Sequence, residues 1–157
     1  MPAVRIDPFA RYAVTVSVLR QWSTEFFIRN SGPGLVELTD EIRAWVRASK
    51  VEQGLLTLFI RHTSASLVIQ ENADPDVRTD LQRFMERLVP EGDRLFVHSA
   101  EGPDDMPAHV RSALTATSLS IPVRNGEPAL GRWQGIYVWE HRRSPHRREV
   151  VAHLIGE

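Results

Sequence analysis

Apolar and polar residues alternate over positions 12 to 19 (YAVTVSVL), and the β-branched content predicts a strand there. Phe26-Phe27-Ile28 reads as its hairpin partner, and Asn30-Ser31-Gly32-Pro33-Gly34 as a turn. Thr39 stands as a helix N-cap, with Asp40 and Glu41 in the first turn and Ile42, Trp45 and Val46 at helical spacing. Residues 54 to 60 form an apolar run that predicts a buried strand, and residues 66 to 69 predict a short one. Asp74-Pro75 marks a helix start, with Asp as cap and Pro at the first helical position. Val77, Leu81, Phe84, Met85 and Leu88 make the apolar stripe of that helix, which stops at Pro90-Glu91-Gly92.

Beyond it, Leu95-Phe96-Val97 reads as a short extended segment. Asp105 is placed to cap a helix from Met106 to about Leu114. Leu119 to Val123 is strand-like, Asn125-Gly126 is a hairpin turn, and Leu130 to Glu140 and Glu149 to Leu154 complete the strands. Strands and helices do not alternate as a doubly wound parallel sheet requires. The expected class is therefore α+β: mostly antiparallel or mixed β-sheets with two or three short helices.

A chain of 157 residues suits one domain with a real core, so residues 1–157 are expected to form a single domain. The apolar fraction of 42% and charged fraction of 25% are those of an ordinary soluble protein. A net charge of -1 argues against a general electrostatic grip on nucleic acid or an anionic membrane. With no cysteine, disulfides and zinc-thiolate sites are excluded. Any metal must then be held by His, Asp or Glu. Neither a signal-peptide layout nor a long apolar span is visible, so a cytoplasmic location is expected.

The candidate chemistry starts at Arg61-His62-Thr63-Ser64-Ala65-Ser66, which follows the apolar run Leu55–Ile60 and precedes Glu71-Asn72. His98 follows Phe96-Val97, and His109 falls in the first turns of a short helix. Three imidazoles on rigid elements are a candidate ligand set for zinc or a similar divalent ion, although no spacing such as HExxH supports it. Glu71, Asp104 and Asp105 are candidate bases or supports for the ligands. The alternative for each histidine is an isolated polar residue at a strand end. The basic run Glu140–Arg148 lies between two strand-like segments and reads as a hairpin loop. Its arginines suit phosphate, but a solvated turn is the favoured reading of them from sequence alone. The glycines flanking Arg132-Trp133-Gln134 suggest either a bulge beside a site or the entry of a core Trp.

These residues together resemble the YjbQ-like family, known also as secondary thiamine-phosphate synthases. The likeness rests on His62-Thr63-Ser64-Ala65-Ser66 with Glu71-Asn72, Asp80, Pro90-Glu91-Gly92 and Met106-Pro107-Ala108-His109. It continues through Ile121-Pro122-Val123, Leu130–Ile136, Glu140-His141-Arg142 and Arg147-Arg148. The resemblance implies a homotrimer and a polar pocket in which His62, His98 and His109 bind a divalent metal, zinc or magnesium. Glu71, Arg142 and Arg147 are the implied catalytic residues, with Ser64 and Gln134 as further binding residues. The implied reaction joins hydroxymethylpyrimidine diphosphate to thiazole phosphate with loss of pyrophosphate. Many relatives carry Asn where this chain has Asp105, so an extra charge stands beside the expected site. A non-catalytic trimer that binds a phosphorylated metabolite is the competing expectation. Neither reading involves nucleic acid or a membrane. Serine hydrolysis is disfavoured because no GxSxG motif is present.

Overall fold

Eight strands and three helices are built by residues 18–157, the part of the chain that the computed structural model describes. In chain order they are β1 (Arg20–Arg29), β2 (Gly34–Glu37), α1 (Thr39–Ser49), β3 (Gln53–Ile60), β4 (Ala65–Glu71), α2 (Pro75–Leu88), α3 (Asp105–Leu114), β5 (Ser118–Arg124), β6 (Glu127–Pro128), β7 (Gln134–Glu140) and β8 (Arg147–Gly156). A five-stranded sheet runs β1-β8-β3-β5-β6, and a three-stranded sheet runs β2-β7-β4. Every pairing is antiparallel. The expected α+β class is thus correct.

The core forms where the inward faces meet. β3 and β8 alternate strictly enough to bury Leu56, Leu58 and Ile60 with Val150, Ala152 and Leu154. Leu67, Ile136 and Val138 answer from the second sheet, and Ile42 and Val46 from α1. Where β3 meets β8, Gly54 lies opposite Gly156. A Cβ on Gly156 would stand 2.3 Å from the Gln53 carbonyl oxygen, so the strands approach closely there because both residues lack side chains.

Local signals held where the chemistry was local. Asp74 caps α2, its side chain accepting from the Asp76 N–H at 2.9 Å, with Pro75 at the helix start. Asn125 and Gly126 turn β5 into β6 with φ of 52° and 74°, as a type I′ turn needs.

Other expectations need correction. The strand expected over residues 12 to 19 falls outside the described residues except for Val18 and Leu19, which belong to no element. Phe26–Ile28 belong to the longer β1 and pair with β8, Phe26 lying opposite Val150. Thr39 is not the cap of α1: Leu38 holds that position without a side-chain bond. The Thr39 hydroxyl instead donates to Glu37 at 2.7 Å and accepts from the Ile136 N–H at 3.0 Å, tying α1 to β7. Leu95–Val97 form no strand. β7 begins at Gln134 rather than Leu130, because Gly131–Trp133 make a turn closed by the Gln134 N–H on the Gly131 carbonyl. The α2 stripe is only partly covered: Met85 is buried, while Phe84 and Leu88 are 51% and 54% exposed. The segment joining β7 to β8 is no hairpin loop, since the two strands lie in different sheets.

Candidate functional site

The crossover from β7 to β8 gathers much of the buried charge of the described residues. Glu140 is fully buried and takes two hydrogen bonds from the Arg148 guanidinium, Nε lying 2.6 Å and Nη2 2.5 Å from its oxygens. It also accepts from the backbone N–H of His141 and of Arg142 and from the Asn30 amide. Burial pushes the Glu140 carboxyl up, but Arg148 and the Arg142 N–H outweigh it and hold the group below the usual carboxylate range. Arg148 also donates to the Ser64 hydroxyl at 3.1 Å.

Two residues on, the Arg142 guanidinium is buried against the start of α3. Its Nε donates to Asp104 Oδ2 at 3.0 Å, Nη1 to Asp105 Oδ1, and Nη2 to the Glu101 carbonyl at 2.8 Å. Asp105 is therefore not the side-chain cap expected of it. It is the first residue of α3, 1% exposed, and its carboxylate turns back towards Arg142. Asp104 occupies the cap position and accepts from the Arg143 N–H at 2.9 Å.

The second oxygen of Asp105 faces two imidazoles. His98 Nε2 lies 2.7 Å and His109 Nε2 3.3 Å from Oδ2. Asp105 and His109 are four residues apart on one helix, which puts them on the same face. The other ring nitrogen of His109, Nδ1, donates to the Thr63 carbonyl at 3.0 Å. That bond leaves Nε2 either a lone pair or a second proton to turn towards the carboxylate. The donor atoms of His98, Asp105 and His109 all lie within 4.8 Å of one another. Burial drives the Asp105 carboxyl up, but the bond from His98 and the charge of Arg142 hold it below the usual range. An anionic carboxylate with two imidazole nitrogens is a donor set that a divalent cation fits.

His62 does not join this group. Its Nε2 accepts from the Glu149 N–H at 2.9 Å, which occupies the lone pair that a metal would need, and Arg148 Nη1 lies 3.4 Å from Nδ1. Burial, then Arg148, lowers its pKa. Arg142 is adjacent, but all three guanidinium nitrogens are engaged by the protein's own oxygens, so it orients Asp105 rather than offering a free phosphate clamp. The Arg147 side chain lies 4.0 Å over the Phe27 ring on the outer surface. Glu71 and Gln134 pair at one end of β4 and β7, whereas Ala65 and Glu140 pair at the other. Six strand steps, about 20 Å, separate the two ends. Gln134 there accepts from the Gly131 N–H. Glu71 and Gln134 thus stand apart from the histidine group within one chain.

The His62–Ser66 segment contributes anchors. Thr63 fixes His109, the Ala65 carbonyl accepts from Ser112 at 3.0 Å, and Ser64 meets Arg148. Ser66 Oγ lies 2.9 Å from His141 Nε2, a buried serine–histidine pair. The other ring nitrogen of His141 has no partner among the described residues, so no carboxylate completes a hydrolytic triad. The residues missed from sequence are Glu140, Arg148 and Asp105 as a facing ligand. For Asp105 a signal existed in its four-residue spacing to His109.

Comparison with known proteins agrees on the fold. Residues 24–157 match the family described as UPF0047 protein YjbQ-like. A UPF0047 protein of Synechocystis sp. is 54% identical over 143 residues, 91% of this chain and 97% of its own. The YjbQ protein of Escherichia coli O157:H7 is 46% identical over 121 residues, 76% of this chain and 87% of its own. The crystal structure of an uncharacterized conserved protein of the yjbq/upf0047 family from Clostridium acetobutylicum superposes with a TM-score of 0.74 at 34% identity, covering 82% of this chain and 97% of that one.

Proposed function

This chain belongs to the YjbQ-like UPF0047 protein family, and from that premise we propose that it binds one divalent metal ion through His98, Asp105 and His109 and acts on a phosphorylated small molecule. One observation carries the reading: two imidazole Nε2 atoms converge on the same oxygen of a buried carboxylate. Imidazole donors favour zinc over magnesium. Thr63 fixes the ring of His109, and Arg142 holds the far oxygen of Asp105, so two of the three ligands are braced by neighbours. His98 is the half-exposed ligand, 42% of its side chain accessible, and it marks the side from which substrate approaches. When bound, the ion supplies charge to neutralise a departing diphosphate.

The reaction that fits this chemistry is the joining of hydroxymethylpyrimidine diphosphate to thiazole phosphate with release of pyrophosphate. A homotrimer is part of the same reading. Leu95 and Val97, next to His98, are 83% and 96% exposed, an apolar surface suited to cover by another copy of the chain.

Elemental analysis of protein purified without chelator tests the metal. About one equivalent of zinc is expected, falling steeply in His109→Ala. Metal content unchanged by His98→Ala, Asp105→Asn and His109→Ala would overturn the site. Incubation of metal-loaded protein with the two substrates, read by pyrophosphate release, tests the reaction. Ligand binding without product would favour the competing reading of a non-catalytic binding protein. Light scattering of the purified chain tests the trimer.

A further inference from the structure

Among the described residues only two buried side-chain polar atoms lack a hydrogen-bond partner, Arg111 Nε and His141 Nδ1. Both residues line one cavity of about 280 Å³, where the end of α2 and the loop after it meet α3 and the β7–β8 crossover. Glu86, Glu91 and Arg143 complete its polar rim. His141 and Arg142 are successive residues, and Arg142 is spent on the start of α3 while His141 serves this cavity. The cavity shares no lining residue with the His98–Asp105–His109 group.

Arg111 is 4% exposed and makes no ion pair among the described residues. One of its terminal nitrogens donates to the Val89 carbonyl at 2.8 Å, which fixes the guanidinium plane and leaves Nε–H free. Glu86 and Glu91 act on Arg111 through space, but neither pairs with it directly, and its buried Nε–H is left for an oxyanion to satisfy. The two rim carboxylates are engaged elsewhere: Glu91 pairs with Arg143 at 2.8 Å and Glu86 accepts from Gln82 at 2.8 Å. His141 supplies a second donor. When the Ser66 hydroxyl donates to Nε2, the ring proton sits on Nδ1, the ring atom left without a partner.

We infer that this cavity is a binding site for a small oxyanion group, phosphate or carboxylate, held by Arg111 Nε–H and by the Nδ1–H of His141. The site lies beyond the metal reading and does not depend on it. Ser66 sets the tautomer of His141, and Arg143 keeps Glu91 from collapsing onto Arg111. The guanidinium–oxyanion bond supplies most of the affinity, because it is charge-assisted and shielded from water. The neutral imidazole adds direction.

Calorimetric titration of the full chain with inorganic phosphate, and separately with acetate, tests this. Saturable binding of either anion is expected in the metal-free protein and equally in metal-free His109→Ala, which separates this site from the metal site. The tighter anion identifies the ligand class. Arg111→Met is expected to weaken binding about tenfold or more. Titration should also move the Arg111 Nε–H signal in the nitrogen–proton spectrum. No saturable heat with either anion, or an unmoved Arg111 signal, overturns the assignment. Should Arg111→Met fail to fold, Glu86→Gln on the exposed rim removes a competing charge and is expected to tighten phosphate binding several-fold. Unchanged or weaker binding in that variant overturns it too.

Discussion

Glu140 at the end of β7 and Arg148 at the start of β8 belong to different sheets, and their side chains form an ion pair that is 0% and 4% exposed. The pair clasps the two sheets at the crossover. Removing one partner leaves the other charged and buried, so Arg148→Met is expected to cost about 3–5 kcal/mol. Glu140→Gln, which keeps the shape and some hydrogen bonds, should cost less. Urea denaturation of both variants measures the difference. Equal losses would mean that the retained shape and hydrogen bonds contribute nothing and the charge of Glu140 carries the whole effect.

Arg142 offers a sharper comparison. Its planar fork meets Asp104, Asp105 and the Glu101 carbonyl at once. Arg142→Ala strands two carboxylates and is expected to lose about 3–5 kcal/mol. Arg142→Lys keeps the charge but cannot reproduce the fork, so it should recover only part of that loss. Thermal melts of the two variants, with and without zinc, separate folding from metal retention.

Metal binding should itself stabilise the fold. Zinc at a hundredfold excess over its dissociation constant is expected to add about 2.7 kcal/mol, reversed by a chelator. Asp105→Asn retains the shape of the side chain while removing its charge. The zinc-induced rise in melting temperature should shrink in that variant and vanish in His109→Ala. A full rise in both would contradict the ligand assignment.

Acid should act in two stages. Burial, aided by Arg111, lowers the pKa of His141 from 6.5 to about 4. The unfolded chain therefore binds more protons than the native state between those values, and stability falls as pH falls through that window. The loss can reach about 3 kcal/mol. Asp104, Asp105 and Glu140 are held below their ordinary values, so the stability they provide is present above the usual carboxylate range and is lost as pH drops below it. His141→Gln should flatten the upper stage and leave the lower one. Urea midpoints measured from about pH 7.5 down to about pH 2 read both.

What could be read from the residues was what a few neighbours decide. Asp74-Pro75 starts α2 and Asn125-Gly126 turns β5 because capping and left-handed φ are local matters. The alternation in β3 and β8 was legible because one face of each strand is buried. The run Glu140–Arg148 was opaque for the opposite reason. Its charges look solvated in sequence, and only the passage from one sheet to the other buries them against Asp104, Asp105 and each other. His98 and His109 were visible as candidate ligands, while Asp105, at a helix start, was legible only as a cap, a base or a support. The place of His62 apart from them was not legible, because nothing in its neighbourhood reveals that the Glu149 N–H takes its lone pair.

The place of β8 in the five-stranded sheet has a consequence for synthesis. It lies between β1 and β3, and among the described residues β1 pairs with nothing else. Until residues 147–156 leave the ribosome, β1 and one side of β3 carry unpaired backbone donors and acceptors. A nascent or stalled chain is thus a sheet with an interior strand missing, open to strands of other chains. Emergence of the ten residues of β8 closes the sheet.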